Sequence, residues 1–79
     1  MFLTYDPKYN IAYLRFKEKP EQVETIEVSP ELNVDLAGDG TVYGIELLNA
    51  NEQLAGDSLK EFVVVNESTG ERVAVNLAV

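Results

Sequence analysis

Apolar and polar residues alternate in short runs along most of the chain, and the runs end at Asp, Gly, Pro or Asn. This period of two is typical of strands that bury one side. It predicts a mainly β fold, a small antiparallel sheet or meander of about six to seven short strands built from hairpins, with at most one short helix near residues 51–55. We expect residues 1–79 to form a single domain, because a chain of 79 residues supports only one thin core.

The first predicted hairpin joins strands at Phe2 to Tyr5 and Ile11 to Phe16 through a turn at residues 6–9. Asp and Pro at the first two turn positions suit a type I turn. In the second strand Tyr13 lies on the opposite face from Ala12, so we predict that Tyr13 contacts a partner from the outer face.

Two further segments follow this hairpin. The charged residues 17–22 predict a loop, and Val23 to Val28 predict a third strand. That strand ends before Pro30, because proline cannot donate to a central ladder.

The strongest local signal is the hairpin over residues 32–48, which is centred on Asp39 and Gly40. The Asp-Gly pair suits a type I′ turn, in which both central residues have positive φ. A loop of two or four residues then pairs Leu36 with Tyr43, and every apolar residue meets another. We reject a three-residue loop, because it would move the register by one and set a carboxylate against the apolar face. The predicted polar face of this hairpin holds Asn33, Asp35, Gly44 and Glu46.

The alternation breaks at residues 49–56. Asn51 is predicted to cap one helical turn that continues through Leu54 and stops at Gly56.

The last predicted hairpin, at about residues 61–78, has Gly70 in the left-handed position after a type I turn. Pairing Glu67 with Glu71 sets Val65 against Val73, and both faces of the hairpin are then apolar. Exposed apolar faces commonly mark interfaces, so we predict self-association or partner binding here. The alternative is that the short helix and the first hairpin cover one of the faces. The predicted outer face holds Phe62, Val64, Ala74 and Ala78, and the interface candidates are Phe62, Val64, Ala74 and Tyr13.

Composition restricts the possible chemistry. The chain has no cysteine and no histidine, which excludes disulfides, zinc sites built on thiolate or imidazole, and histidine-based triads. Its net charge of −8 repels nucleic-acid phosphates and attracts basic surfaces, so we expect a basic protein partner rather than nucleic acid. The sequence shows no export signal and no run of about 20 apolar residues, which predicts a cytoplasmic protein without a membrane segment.

Carboxylates in the central hairpin suggest a second hypothesis, the binding of a cation or small ligand. Asp35, Asp39 and Glu46 partly match a calcium-binding EF-hand loop, but Ala37 occupies a ligand position and strands flank the loop. The alternative function is therefore a small-ligand or divalent-cation-binding domain that uses these three carboxylates. We expect no cofactor and no catalytic residue, because a thin core has few ways to build the dry pocket that raises the pKa of a general acid.

A series of short motifs resembles one known family. The motifs are Tyr5-Asp6, Tyr13-Leu14-Arg15-Phe16, Val28-Ser29-Pro30, Val34-Asp35, Asp39-Gly40 and the run from Gly44 to Asn49. Across residues 3–54 the chain resembles the small bacterial and archaeal proteins grouped as DUF2283. It departs at Asn10-Ile11-Ala12, where the family usually reads Asp-Ala-Leu, and its C-terminal hairpin lies outside the resemblance.

The resemblance implies a small β-rich domain of unknown function. Some relatives resemble antitoxin components found beside small toxin-like proteins. Together with the acidic charge, this leads us to expect a non-enzymatic protein-interaction module that forms a homodimer or binds a basic partner in an antitoxin-like way.

Overall fold

The computed structural model describes residues 1–54 and 61–76. Within these residues no helix has the length and apolar character needed to cross a bilayer. The predicted mainly β fold with one short helix is confirmed. In chain order the elements are β1 (Phe2–Asp6), β2 (Ile11–Arg15), β3 (Glu24–Ser29), β4 (Leu32–Leu36), β5 (Val42–Leu48), α1 (Ala50–Gln53), β6 (Glu61–Val65) and β7 (Arg72–Asn76).

The strands form two antiparallel sheets. A five-stranded sheet has the order β1-β2-β5-β4-β3, and β6 and β7 make a separate two-stranded sheet. Local hairpins account for β1 with β2, β3 with β4, and β4 with β5. The pairing of β2 with β5 joins distant parts of the chain and places β5 at the centre.

One side of the five-stranded sheet, here termed the aliphatic face, carries one aliphatic residue from each strand in a continuous row. The two residues at the sheet edges, Leu3 and Ile26, are 42% and 41% exposed, and the three between them are only half-buried. Within the described residues, the buried apolar side chains are three alanines and one tyrosine. The row consists of Leu3, Leu14, Ile45, Val34 and Ile26.

The turn between β4 and β5 differs from the predicted one. The N–H of Ala37 donates to the carbonyl of Thr41 at 2.8 Å, so the loop has three residues. Gly40 has φ +85°, whereas Asp39 is not in the positive-φ region. The type I′ prediction is therefore wrong, and the turn is completed by a single left-handed glycine, as in a three-residue hairpin loop.

A β-bulge explains how this loop is compatible with the apolar pairing. Leu36 pairs with Val42, but the next pair along the strands is Asp35 with Gly44. Tyr43 is the extra residue of the bulge, so the predicted pairing of Leu36 with Tyr43 is wrong. Because the bulge absorbs the one-residue shift, the predicted pairs beyond it are confirmed: Val34 with Ile45 and Leu32 with Leu47.

The β6–β7 hairpin confirms the left-handed Gly70, with φ +76°. Its predicted register is wrong by one residue, because Asn66 rather than Glu67 bonds to Glu71 across the loop. Val65 consequently pairs with Arg72 instead of Val73.

This register redistributes the apolar side chains of the hairpin. Ala74 pairs with Val63 and lies on the opposite face from Phe62 and Val64, so the prediction that these three share a face is wrong. Ala78, assigned to the same face, lies outside the described residues. The side here termed the hairpin face holds Phe62, Val64, Val73 and Val75.

The N-terminus of α1 is capped by a distant residue. Asn51, the predicted cap, lies inside the helix, which begins after Asn49. The N–H of Asn51 donates to the side-chain oxygen of Asn10 at 2.9 Å, and the N–H of Ala50 donates to the Asn10 carbonyl at 2.9 Å. Asn10 makes both bonds from a left-handed conformation, φ +57°. The predicted stop at Gly56 lies outside the described residues.

Candidate functional site

The side of the sheet opposite the aliphatic face, here termed the polar face, gathers most of the candidate chemistry. Directly paired residues of neighbouring strands project to the same side, which defines its membership. The prediction that Asn33, Asp35, Gly44 and Glu46 share a face is confirmed. Two rows cross the polar face: Phe2, Arg15, Gly44, Asp35 and Thr25, and beside them Thr4, Tyr13, Glu46, Asn33 and Glu27.

Tyr13 lies across Gly44 at the centre of this face. A Cβ atom at position 44 would overlap the phenol end of Tyr13, so the ring occupies space that only glycine leaves free. In this position the Tyr13 hydroxyl donates to Asp35 at 2.6 Å. Tyr13 is on the predicted face, but it is half-buried and its hydroxyl is occupied, and its contact with a partner stays a prediction.

The same carboxylate accepts a second hydroxyl. Thr25 donates to the other oxygen of Asp35 at 2.6 Å. Burial raises the pKa of Tyr13 above its ordinary value, and the hydrogen bond to Asp35 raises that pKa further. A phenol with a raised pKa keeps its proton at neutral pH. The three residues therefore form a fixed hydrogen-bonded link between β2, β4 and β3.

The three carboxylates of the cation-binding hypothesis, Asp35, Asp39 and Glu46, each accept hydrogen bonds from different side chains. Asp39, at the turn, accepts from the Thr41 hydroxyl at 2.6 Å, and the bonds from Thr41 lower the pKa of Asp39. Glu46 accepts from the Asn33 amide at 3.0 Å, and Asp35 is occupied as described above. Across residues 1–54 and 61–76, no three acidic, histidine or cysteine side chains lie close enough together to hold a metal ion.

An open depression of about 370 Å³ lies at the β1 end of the polar face. Its lining combines three aromatic residues, two of them tyrosines, with one threonine and one arginine. Sequence reasoning missed it, because alternation places Tyr43 on the opposite face, and only the bulge brings that ring beside β2. The lining residues are Phe2, Thr4, Tyr13, Arg15 and Tyr43.

Arg15 is the charged group of this depression. Its guanidinium lies over the Phe2 ring, with 4.7 Å between the guanidinium carbon and the ring centroid. The Nε atom of Arg15 is buried and has no hydrogen-bond partner in the described part of the chain. The ion pairs among these residues are both made by Lys17, so Arg15 has no carboxylate at ion-pair distance there.

The hairpin face is the second candidate site. Its four side chains are all exposed, from 41% for Phe62 to 61% for Val73. Of the predicted interface residues, Phe62 and Val64 lie on this face, Ala74 lies on the reverse side, and Tyr13 belongs to the other sheet.

Comparison with known proteins gives one match. A family model described as "Protein of unknown function (DUF2283)" matches residues 3–51, which run from β1 into α1. No curated protein and no solved structure matches the chain. The matched region contains the five-stranded sheet and the depression except for Phe2, and the hairpin of β6 and β7 lies outside it.

Proposed function

The chain belongs to the DUF2283 family, whose description names no activity, and we propose that it is a non-enzymatic protein-interaction module that associates with a second copy of itself. One observation carries this proposal. Within the described residues no aliphatic side chain larger than alanine is buried, although each strand of the main sheet contributes one to the aliphatic face. A sheet normally buries such a face against a second layer. A partner chain would supply that layer.

The distribution of charge favours a second copy as the occupant. The aliphatic row and the hairpin face contain no charged residue, although the chain carries a net charge of −8. On the rest of the aliphatic face, Glu24 is charged and lies at the sheet edge, where it pairs with Leu36. An uncharged, self-complementary apolar surface suits a symmetric dimer, because the two copies bring no like charges into direct contact. A basic partner would gain nothing electrostatic from these two surfaces.

Interface size indicates that both surfaces take part. The hairpin face spans about 10 × 17 Å, from two strands about 4.8 Å apart with about 3.3 Å rise per residue. A stable interface buries roughly 800 Å² per partner, which this patch cannot supply by itself. The aliphatic face of the main sheet spans about 24 × 17 Å by the same spacings, and the two surfaces together have a projected area of about 580 Å², the larger part of what a stable interface needs.

A pair of matched substitutions tests the proposal. Val64→Thr places a hydroxyl on the hairpin face, and Val65→Thr places the same group on the reverse side of the same strand, where Val65 is similarly exposed. A hydroxyl buried without a partner costs about 1–3 kcal/mol, and a symmetric dimer incurs this cost twice. We expect Val64→Thr to raise the dimer dissociation constant about tenfold or more in sedimentation equilibrium, and Val65→Thr to leave it unchanged. Weak dimers form at concentrations on the order of 100 µM. The proposal would be refuted if the wild-type chain were still monomeric at about that concentration.

The acidic charge supports a second candidate, an antitoxin-like complex with a basic protein in the cytoplasm. The two candidates respond to salt in opposite directions. Screening weakens the repulsion between two copies of charge −8 and should strengthen the dimer, whereas it should weaken a complex with a basic partner. Each association is therefore measured at about 50 mM and at about 500 mM NaCl, which lie below and above physiological ionic strength, where the Debye length is about 8 Å. The direction of the change in affinity distinguishes the dimer from the complex with a basic partner.

A further inference from the structure

The depression on the polar face has features of a ligand site that the proposed dimer does not use. We propose that Arg15 and the aromatic rings around it bind a small aromatic monocarboxylate. The depression lies on the opposite side of the main sheet from the aliphatic face. Ligand binding and self-association can therefore be tested, and can fail, independently.

The first argument is the unmet hydrogen-bonding capacity of Arg15. Its guanidinium carries five N–H donors, of which the buried Nε–H makes no hydrogen bond, and the group makes no ion pair within residues 1–54 and 61–76. A buried donor without an acceptor is unfavourable, and such groups are rare in folded proteins. A ligand carboxylate would supply acceptors for the donors at the edge of the guanidinium, in the paired geometry that arginine forms with carboxylates.

The second argument is the arrangement of the rings. The guanidinium carbon of Arg15 lies over the Phe2 ring, 4.7 Å from its centroid, so one side of the cation is covered by an aromatic ring. Phe2 is 50% exposed at the start of an edge strand, so its ring can turn aside to admit a ligand oxygen. Tyr13 and Tyr43 complete the apolar wall. Such walls suit the flat body of an aromatic ligand, which gains most from offset or edge contacts between rings.

Size and charge narrow the ligand class. The volume of about 370 Å³ is at the low end of the range of roughly 300–1,000 Å³ typical of ligand pockets, which suits a single ring with its carboxylate. Asp35 and Glu46 lie on the same face, and the whole chain carries a net charge of −8. This field disfavours a dianion such as phosphate more than a monoanion.

Sodium benzoate is the probe, and two-dimensional ¹H–¹⁵N NMR of the folded chain is the measurement. We expect benzoate to shift the side-chain Nε–H signal of Arg15 and the backbone amides of Phe2, Thr4 and Tyr43, with a dissociation constant on the order of 1 mM for so small a ligand in an open site. Benzamide keeps the ring without the charge, and acetate keeps the charge without the ring. Each should bind about tenfold more weakly or worse, a difference of about 1.4 kcal/mol.

Two substitutions separate the site from a general charge effect. Arg15→Gln should weaken benzoate binding at least about tenfold. Arg72→Gln removes the same charge from the hairpin, where Arg72 is exposed, and should leave binding unchanged. If Arg15→Gln does not fold, the proposal is tested with Arg15→Lys, which should also bind benzoate more weakly, and with the comparison of benzoate and benzamide in the wild-type chain.

Several results would overturn the proposal. The first is that benzamide or inorganic phosphate shifts the NMR signals as much as benzoate does. The second is that Arg15→Gln or Arg15→Lys binds benzoate as tightly as the wild-type chain. The third is that benzoate causes no saturable shift of the NMR signals of the lining residues.

Discussion

Replacing Gly44 by alanine tests the packing at the centre of the polar face. The backbone at Gly44 is outside the positive-φ region, so alanine can adopt its conformation. The new methyl group would, however, occupy the space of the Tyr13 phenol. The ring must swing away, which breaks the hydrogen bond of 2.6 Å to Asp35.

The expected magnitude follows from two opposing effects. A hydrogen bond to a charged acceptor contributes about 1.5–3 kcal/mol to stability. Removing glycine from a strand interior returns about 0.5–1 kcal/mol, because the unfolded chain loses conformational freedom. We therefore expect Gly44→Ala to lower the free energy of unfolding by about 1–2 kcal/mol.

A double-mutant cycle with Tyr13→Ala isolates the contact. Once the ring is absent, the three atoms nearest to the methyl group at position 44 are gone, and the same Gly44→Ala change should stabilise the chain by about 0.5 kcal/mol. Urea unfolding followed by circular dichroism at one fixed protein concentration measures all four variants, because self-association would otherwise shift the midpoints. If Gly44→Ala destabilises both backgrounds equally, the contact between Gly44 and Tyr13 is not the cause and the reasoning fails.

Three further predictions concern the β4–β5 turn, the cap of α1 and the phenol of Tyr13. Gly40→Ala should cost about 1 kcal/mol in urea unfolding because φ is +85° there, whereas Gly38→Ala in the same turn should change stability by less than about 0.5 kcal/mol. Asn10→Ala should destabilise by about 1 kcal/mol more than Asn10→Gly, because both lose the side-chain cap of α1 but only alanine is strained at φ +57°. The raised pKa of Tyr13 means that the unfolded chain releases the phenolic proton first, so unfolding free energy should fall as pH rises above about 10, and Tyr13→Phe should reduce this slope.

Each of these predictions has a contrary result. Equal effects of alanine at positions 38 and 40 would mean that the left-handed glycine does not determine the turn. Equal effects of alanine and glycine at position 10 would show that backbone strain at Asn10 does not contribute to the stability of the α1 cap. An unchanged alkaline slope in Tyr13→Phe would show that the phenol titrates alike in the folded and unfolded chain.

The locations of the strands follow from the sequence with small errors at their ends. Alternation marks β1 through β5 and assigns Val34 and Ile45 to one face, as observed. This works because alternate side chains point to opposite faces, whatever the strand pairs with. The predictions that failed, the two hairpin registers next to the loops and the helix cap, each depend on details that alternation does not contain.

The bulge at Tyr43 shows why the candidate site was not predictable. A single extra residue reverses the inward and outward assignment on one side of it. Alternation therefore placed Tyr43 in the core with Leu36, and nothing in the sequence marks the bulge. The depression around Arg15 exists because this one position departs from the period of two.

The sequence by itself determined the fold class, the acidic charge, the absence of cysteine and histidine, and, apart from Tyr43 at the bulge, which residues of each main-sheet strand share a face. Tertiary structure decided the pairing of β2 with β5, the capping of α1 by Asn10, and the meeting of Arg15 with Tyr43. The physical reason is distance along the chain. Local residue patterns specify how one strand presents its side chains, whereas contacts between residues about 30 to 40 positions apart depend on strand order and register, which become defined only when the sheet assembles.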